Sequence, residues 1–244
     1  MKNSKELKNK TEIPEIPSIP QPILEAASNG KLVVFIGAGV SRLLGYPSWQ
    51  NLAERYAEYL YKEGHISYIE YEHLKKLDPR KLLSICENFC EKKKISKPSI
   101  SELLQSKEIE KDISNIYKLI YSWNVIYVTT NFDDELDKVA KKSRKEVTIE
   151  NYSSSFDFPT LKNSDKKIIS DPDQILEAHL YSSGNVIHLH GSLDSEKLIL
   201  TISDYLYHYQ HEKIQSFLNR LFTDFTVLFP KIRDCPTRNP ASVL

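Results

Sequence analysis

Residues 31–49, KLVVFIGAGVSRLLGYPSW, carry five consecutive apolar residues, 32–36, straight into Gly-Ala-Gly-Val-Ser. An apolar run with no polar alternation is the pattern of a strand buried on both faces. Soluble folds place such strands in parallel sheets covered by helices. Glycines at the end of that strand let the backbone come close to a ligand at the carboxyl edge, where parallel sheets bind their ligands. The dinucleotide fingerprint Gly-x-Gly-x-x-Gly is incomplete, because Arg42 stands at its third glycine. From the residues alone, Gly37 and Gly39 fit a phosphate loop and a ligand-free strand-to-helix turn equally well.

The rest of the chain repeats the strand-and-helix alternation. Strands are expected at 125–128, 185–193, 197–201 and 225–229. Helices are expected from Ser48, which can cap the run Trp49, Leu52, Ala53, Tyr56 and Leu60, and again at 135–142 and 212–224. This predicts an α/β fold: a Rossmann-like parallel sheet flanked by helices, with residues 54–121 as an inserted helical lobe. Pro14, Pro17, Pro20 and Pro22 make 1–22 a flexible arm, so that the domain spans 23–229, with order resuming in a short helix closed by Gly30. The stretch 145–184 reads as irregular and polar.

Composition narrows the function classes. Lysines and arginines number 33 against 33 acidic residues, which removes any global attraction to nucleic acid or an anionic membrane. The basic runs at 92–94 and 141–145 lack interleaved aromatics and read as solvated faces. No apolar run approaches the roughly 18 residues of a membrane span, and no signal core follows the charged start. The three cysteines fit a reducing cytoplasm, the expected location. Cys86 and Cys90 lie one helical turn apart and read as structural thiols, since neither a second pair nor a nearby histidine completes a zinc site. No metal is expected.

Two further strand ends concentrate polar side chains. In TTNFDDELD, a helix cap explains Asp133 or Asp134 but not the whole Thr-Thr-Asn-x-Asp group. In HLHG, strand alternation puts His188 and His190 on one face. A metal pair is conceivable there, but a single general base at the strand end is more economical. That base is His190, and His188, further inside, reads as a hydrogen-bonded core histidine.

In order, GAGVSRLLGYPSW, TTNFD, HLHG and LTISDYLYHY resemble the sirtuin-type fold, and specifically the SIR2-like domains of bacterial anti-phage defence proteins. The resemblance spans about residues 23–229. It implies NAD bound across the glycine loop, with Gly37, Ala38, Gly39 and Ser41 at the pyrophosphate. By the same resemblance Thr130, Asn131 and Asp133 would line the nicotinamide-ribose pocket. Pro47, Trp49 and Gly191 would join the NAD-contacting set, and His190 would be the catalytic base. Asn131 would orient water or a ribose hydroxyl, and Asp133 would stabilise the developing cation or hold the loop.

Departures from the family refine the expectation. The deacylases carry a four-cysteine zinc ribbon, absent here, and their Pro-Asp-Phe-Arg segment is Pro47-Ser48-Trp49-Gln50. Both favour an NAD glycohydrolase over a deacylase or ADP-ribosyl transferase. After FTVLF the family continues with an Ile-Gly-Tyr-like turn, whereas here PKIRDCPTRNPASVL follows. That ending makes 230–244 an irregular, non-native or truncated tail, and keeps a catalytically silent nucleotide-binding or oligomerisation module as an alternative. The resemblance also implies a sensor or activator outside this chain and allows a homo-oligomer.

Overall fold

The computed structural model describes residues 18–105, 115–150, 167–175 and 178–230. Helix α1 (Gln21–Ser28) opens with Pro22 in its first turn, where a missing amide hydrogen costs nothing. It closes at Gly30, whose φ of +65° is natural for glycine. Strand β1 (Leu32–Ile36) follows, buried on both faces as its composition predicts. The short helix α2 (Ala38–Leu43) leaves the strand at Gly37.

Four helices come next: α3 (Trp49–Lys62), α4 (Tyr68–Leu74), α5 (Pro79–Lys93) and α6 (Ile100–Leu103). Ser48 caps α3 by accepting the Asn51 amide hydrogen at 3.1 Å. Leu52, Ala53, Tyr56, Ala57 and Leu60 bury its inner face against Leu82, Leu83, Cys86 and Cys90 of α5. Each fully buried aliphatic side chain contributes about 1.5–3 kcal/mol. Both cysteines are free and buried, and burial pushes the Cys86 thiol up to about 12, which leaves it inert. Cys235 lies outside the described residues.

Helix α7 (Asn115–Tyr121) returns to the sheet. Its Tyr117, Ile120 and Tyr121 pack with β1 residues rather than with the helical lobe. Strand β2 (Ile126–Thr129), helix α8 (Glu135–Glu150) and strand β3 (Ile168–Ile169) follow. Then come β4 (Val186–His188), α9 (Ile202–Gln210), α10 (Glu212–Asp224) and β5 (Thr226–Leu228). The five strands lie in the order β3-β4-β2-β1-β5, and every pairing is parallel.

Alternation sorts the strand side chains. Leu32, Val34, Ile36 and Tyr127 face one helical layer, with α2, α7 and α8. Val33, Ile126, Val128 and Ile187 face the other, where α10 presents Ile214, Phe217 and Leu221 at helical spacing. The lobe built on α3 and α5 packs beyond the strand ends through Phe132 and Leu200.

Two expectations are corrected. Residues 197–201 do not form a strand. Ile199 donates one backbone bond to His190 at 3.0 Å, but among the described residues no strand pairs with the segment to extend a ladder. Conversely, the region expected to be irregular contributes β3, whose two residues lie at the sheet edge. Phe229 and then Pro230 follow β5, and the rest of the expected irregular tail, 231–244, lies outside the described residues, as do 1–17 of the arm.

Candidate functional site

Because β1, β2 and β4 are neighbours, the loops leaving their carboxyl ends lie side by side. The Thr129 hydroxyl donates to the Ile36 carbonyl at 3.1 Å and accepts the Asn131 amide hydrogen at 3.0 Å, which ties the second loop to the first. Asn131 then reaches across to the glycine loop. Its Nδ2 donates to the Gly37 carbonyl at 3.0 Å and to Ser41 Oγ at 2.7 Å.

This arrangement fixes the orientation of the amide. A backbone carbonyl can only accept, so the atom facing Gly37 is nitrogen. Both Nδ2 hydrogens are engaged, and Oδ1 is left as the open acceptor on a residue that lines a cleft. The cleft has ≈ 390 Å³ of empty space, open to solvent. Its walls include Ala38, Ser41, Pro47, Trp49, Thr130, Asn131 and Asp133. Trp49 meets Phe132 edge-on at 5.4 Å.

Ser41 is the hub beneath it. Its hydroxyl donates to Asp133 Oδ2 at 2.6 Å, so Tyr117, 3.1 Å from the same oxygen, is the donor in that pair. Asp133 also accepts the Glu135 amide hydrogen at 3.4 Å, at the start of α8. Burial raises the Asp133 carboxyl above the ordinary carboxylate range, and the Ser41 hydroxyl offsets part of the rise. With both oxygens bound to protein, Asp133 holds the loop.

Of the eleven residues singled out from sequence, the cleft gathers seven. Gly37 joins through Asn131. An added Cβ at Gly37 meets no atom within 4 Å, so what the glycine loop offers is open space. Gly39 is part of α2, which at six residues is too short for its dipole to matter much.

His190 and Gly191 do not line the cleft. His190 is 6% exposed and packs under α9, its Nε2 2.7 Å from the Tyr209 hydroxyl and its ring edge-on to Tyr205 and His208. Its Nδ1 makes no hydrogen bond of ordinary geometry among the described residues. Burial, then the neighbouring His208, lowers its pKa to about 4, the Thr130 backbone offsetting the drop only in part. His190 is therefore neutral at pH 7. Among the described residues, no hydrogen bond joins it to Asn131 or Asp133.

The shared face of His188 and His190 does not survive either. The strand ends at His188, and the turn that follows sends the two rings to different partners. A metal pair is not formed. Sequence reasoning missed Tyr117, Asp137 and Tyr209. Asp137 stands four residues beyond Asp133, a helical spacing that could have flagged it. Tyr117 lies 76 residues from its partner Ser41, and nothing local announces it.

The buried neutral imidazole has a measurable consequence. His190 titrates near pH 4 when folded and near 6.5 when unfolded. On acidification the unfolded chain binds that proton first. The stability is complete above pH 6.5 and falls by on the order of 3 kcal/mol between pH 6.5 and 4. Asp133, raised in the folded state, acts with the opposite sign at acid pH. The comparison that isolates His190 is urea midpoints for the protein and His190→Gln, and the variant is expected to lose less stability over that interval.

The fold and the cleft thus define a parallel Rossmann-like domain with a polar site across the ends of β1 and β2. Residues 125–230 match the family model described as SIR2-like domain. Over 217 residues the chain is 28% identical to Defense-associated sirtuin 2 of Bacillus subtilis, covering 85% of this chain and 18% of that relative. Over residues 125–230 the chain is thus similar to SIR2-like domains, and it spans under a fifth of the length of the curated relative it matches.

Proposed function

We propose that this domain is an NAD glycohydrolase, which hydrolyses the bond between nicotinamide and ribose to give nicotinamide, ADP-ribose and a proton. The observation that carries the reading is Asn131: its amide nitrogen is held by Gly37 and Ser41, leaving a single acceptor oxygen open on a residue of the cleft wall. That oxygen suits a water or ribose hydroxyl, whose proton it accepts. The residues fit NAD on a second count, the unobstructed space at Gly37, where a phosphate can approach backbone.

In this reaction water attacks the anomeric carbon as the carbon–nitrogen bond breaks. The bonding pair leaves with the pyridinium nitrogen, which becomes neutral, and the water loses a proton. Asn131 orients that water; His190, neutral at pH 7 but packed against Tyr209 outside the cleft, is the proposed base, and α9 must uncover it before it can take the proton. The name of the Bacillus subtilis relative associates that protein with defence. We carry this over as a role in NAD depletion on infection, triggered by a sensor or activator outside the chain.

A catalytically silent nucleotide-binding module is the second reading, and the cover of α9 over His190 favours it. The deciding assay is nicotinamide release from NAD by the purified chain beside His190→Ala. Release that the variant loses supports the hydrolase; NAD binding without release supports the silent module. Gly37→Ala tests the glycine loop. It should melt within a few degrees of the parent, since a glycine N-cap replaced by Ala costs about 1 kcal/mol. Calorimetric NAD affinity should fall about tenfold or more, because the new methyl occupies space the ligand needs.

A further inference from the structure

We propose that His188 and Asp137 form a buried ion pair that positions Asn131, so that the first histidine of HLHG serves the site by charge and not as core filling. The proposal rests on the NAD reading for its effect on rate, and on geometry alone for the pairing.

His188 is 0% exposed and both its ring nitrogens have partners. Nδ1 lies 3.1 Å from the Asn131 carbonyl, and Nε2 lies 2.9 Å from Asp137 Oδ1. The carbonyl only accepts, so Nδ1 carries a hydrogen. Nε2 faces the Asp137 carboxyl group in the first turn of the sixteen-residue helix α8. With the carboxylate accepting, the ring holds two hydrogens and is an imidazolium. The other acid near the ring is Asp133, from the loop after β2, and it adds to the same preference. Burial opposes the charge, but the Asp137 hydrogen bond and charge outweigh it and leave His188 raised above its ordinary value.

The consequence falls on Asn131. Its amide hydrogen is held by Thr129, its side-chain nitrogen by Gly37 and Ser41, and its carbonyl by His188. Three elements thus clamp one residue, and among the described residues Oδ1 is its one polar atom left without a partner. The His188 bond is the one clamp whose strength depends on charge, since hydrogen bonds from ionised donors are roughly twice as strong as neutral ones. Among the described residues, buried Asp137 Oδ2 has no hydrogen-bond partner that could hold the carboxyl group in place of His188. Loss of either member therefore leaves the other without compensation.

The test uses the whole chain and reads imidazole nitrogen resonances by NMR. His188 is expected to show both ring nitrogens protonated from pH 6 to 8, whereas a neutral ring over that range overturns the proposal. Asp137→Asn keeps the side-chain shape and removes the charge. His188 should then turn neutral and the Asn131 side-chain amide signals should shift. For nicotinamide release kcat should fall about 100-fold with KM changed less than about threefold. A folded Asp137→Asn protein with unchanged Asn131 signals and parental kcat overturns the positioning role. If that variant does not fold, the protonation state in the parent decides the matter. A parent chain that releases no nicotinamide counts against the NAD reading alone, because the two spectroscopic readouts need no substrate.

Discussion

Asn131→Ala is expected to lower nicotinamide release by about 100- to 1000-fold, the scale of losing a group that orients the reacting water. The substitution removes the open acceptor oxygen and also both bonds from Nδ2, to Gly37 and to Ser41. The part-buried Gly37 carbonyl left without its donor costs about 1 kcal/mol, so the melting temperature should drop by a few degrees while the protein stays folded. Asn131→Asp should be equally defective for a different reason: a carboxylate oxygen would then face the Gly37 carbonyl, two acceptors with no hydrogen between them. The measurement is single-turnover cleavage at saturating NAD, alongside circular dichroism and thermal melts. A folded Asn131→Ala protein that cleaves at the parental rate removes Asn131 from the mechanism.

The sequence announces the parts of this fold in which burial is continuous. Leu32–Ile36 reads as a buried strand because every residue is apolar, and α10 reads as a helix because Ile214, Phe217 and Leu221 recur on one face. Its failures are of a different kind. Residues 197–201 have strand composition, but a strand needs a neighbour, and neighbours are chosen by the whole sheet. Strand β3 has two residues, too few for any period to show. The site divides the same way. Ser41, Asn131 and Asp133 stand out as polar groups abutting buried strands, whereas their supports come from distant segments: Tyr117 from α7, Asp137 from α8 and Tyr209 from α9. What the local pattern hides is which polar group each one meets. That is why His188, read as a core histidine, becomes informative only when Asp137 and the Asn131 carbonyl are found on either side of it.

Gly191→Ala is expected to be the most destabilising single substitution in the three motifs. Gly191 has φ of +86°, a backbone conformation that costs a residue with a Cβ about 1–2 kcal/mol. The added carbon would also stand 2.3 Å from the Lys197 carbonyl oxygen and 2.9 Å from Ser195 Oγ. The serine cannot simply rotate aside, because its hydroxyl links the Ser192 and Lys197 carbonyls at 2.7 and 2.9 Å. The carbonyl belongs to the backbone, so relief requires the turn itself to move, at a further cost of about 1–3 kcal/mol. The sum is about 2–5 kcal/mol, a fall in melting temperature of roughly 5–15 °C. The turn carries His190, whose carbonyl accepts the Ile199 amide hydrogen at 3.0 Å, so displacement also pulls the imidazole away from Tyr209. Release should therefore fall together with stability. At Gly37, where a Cβ meets nothing, affinity should fall while stability holds. Equal losses of stability at the two glycines, measured by thermal melts side by side, would show that the HLHG turn yields more readily than its contacts imply.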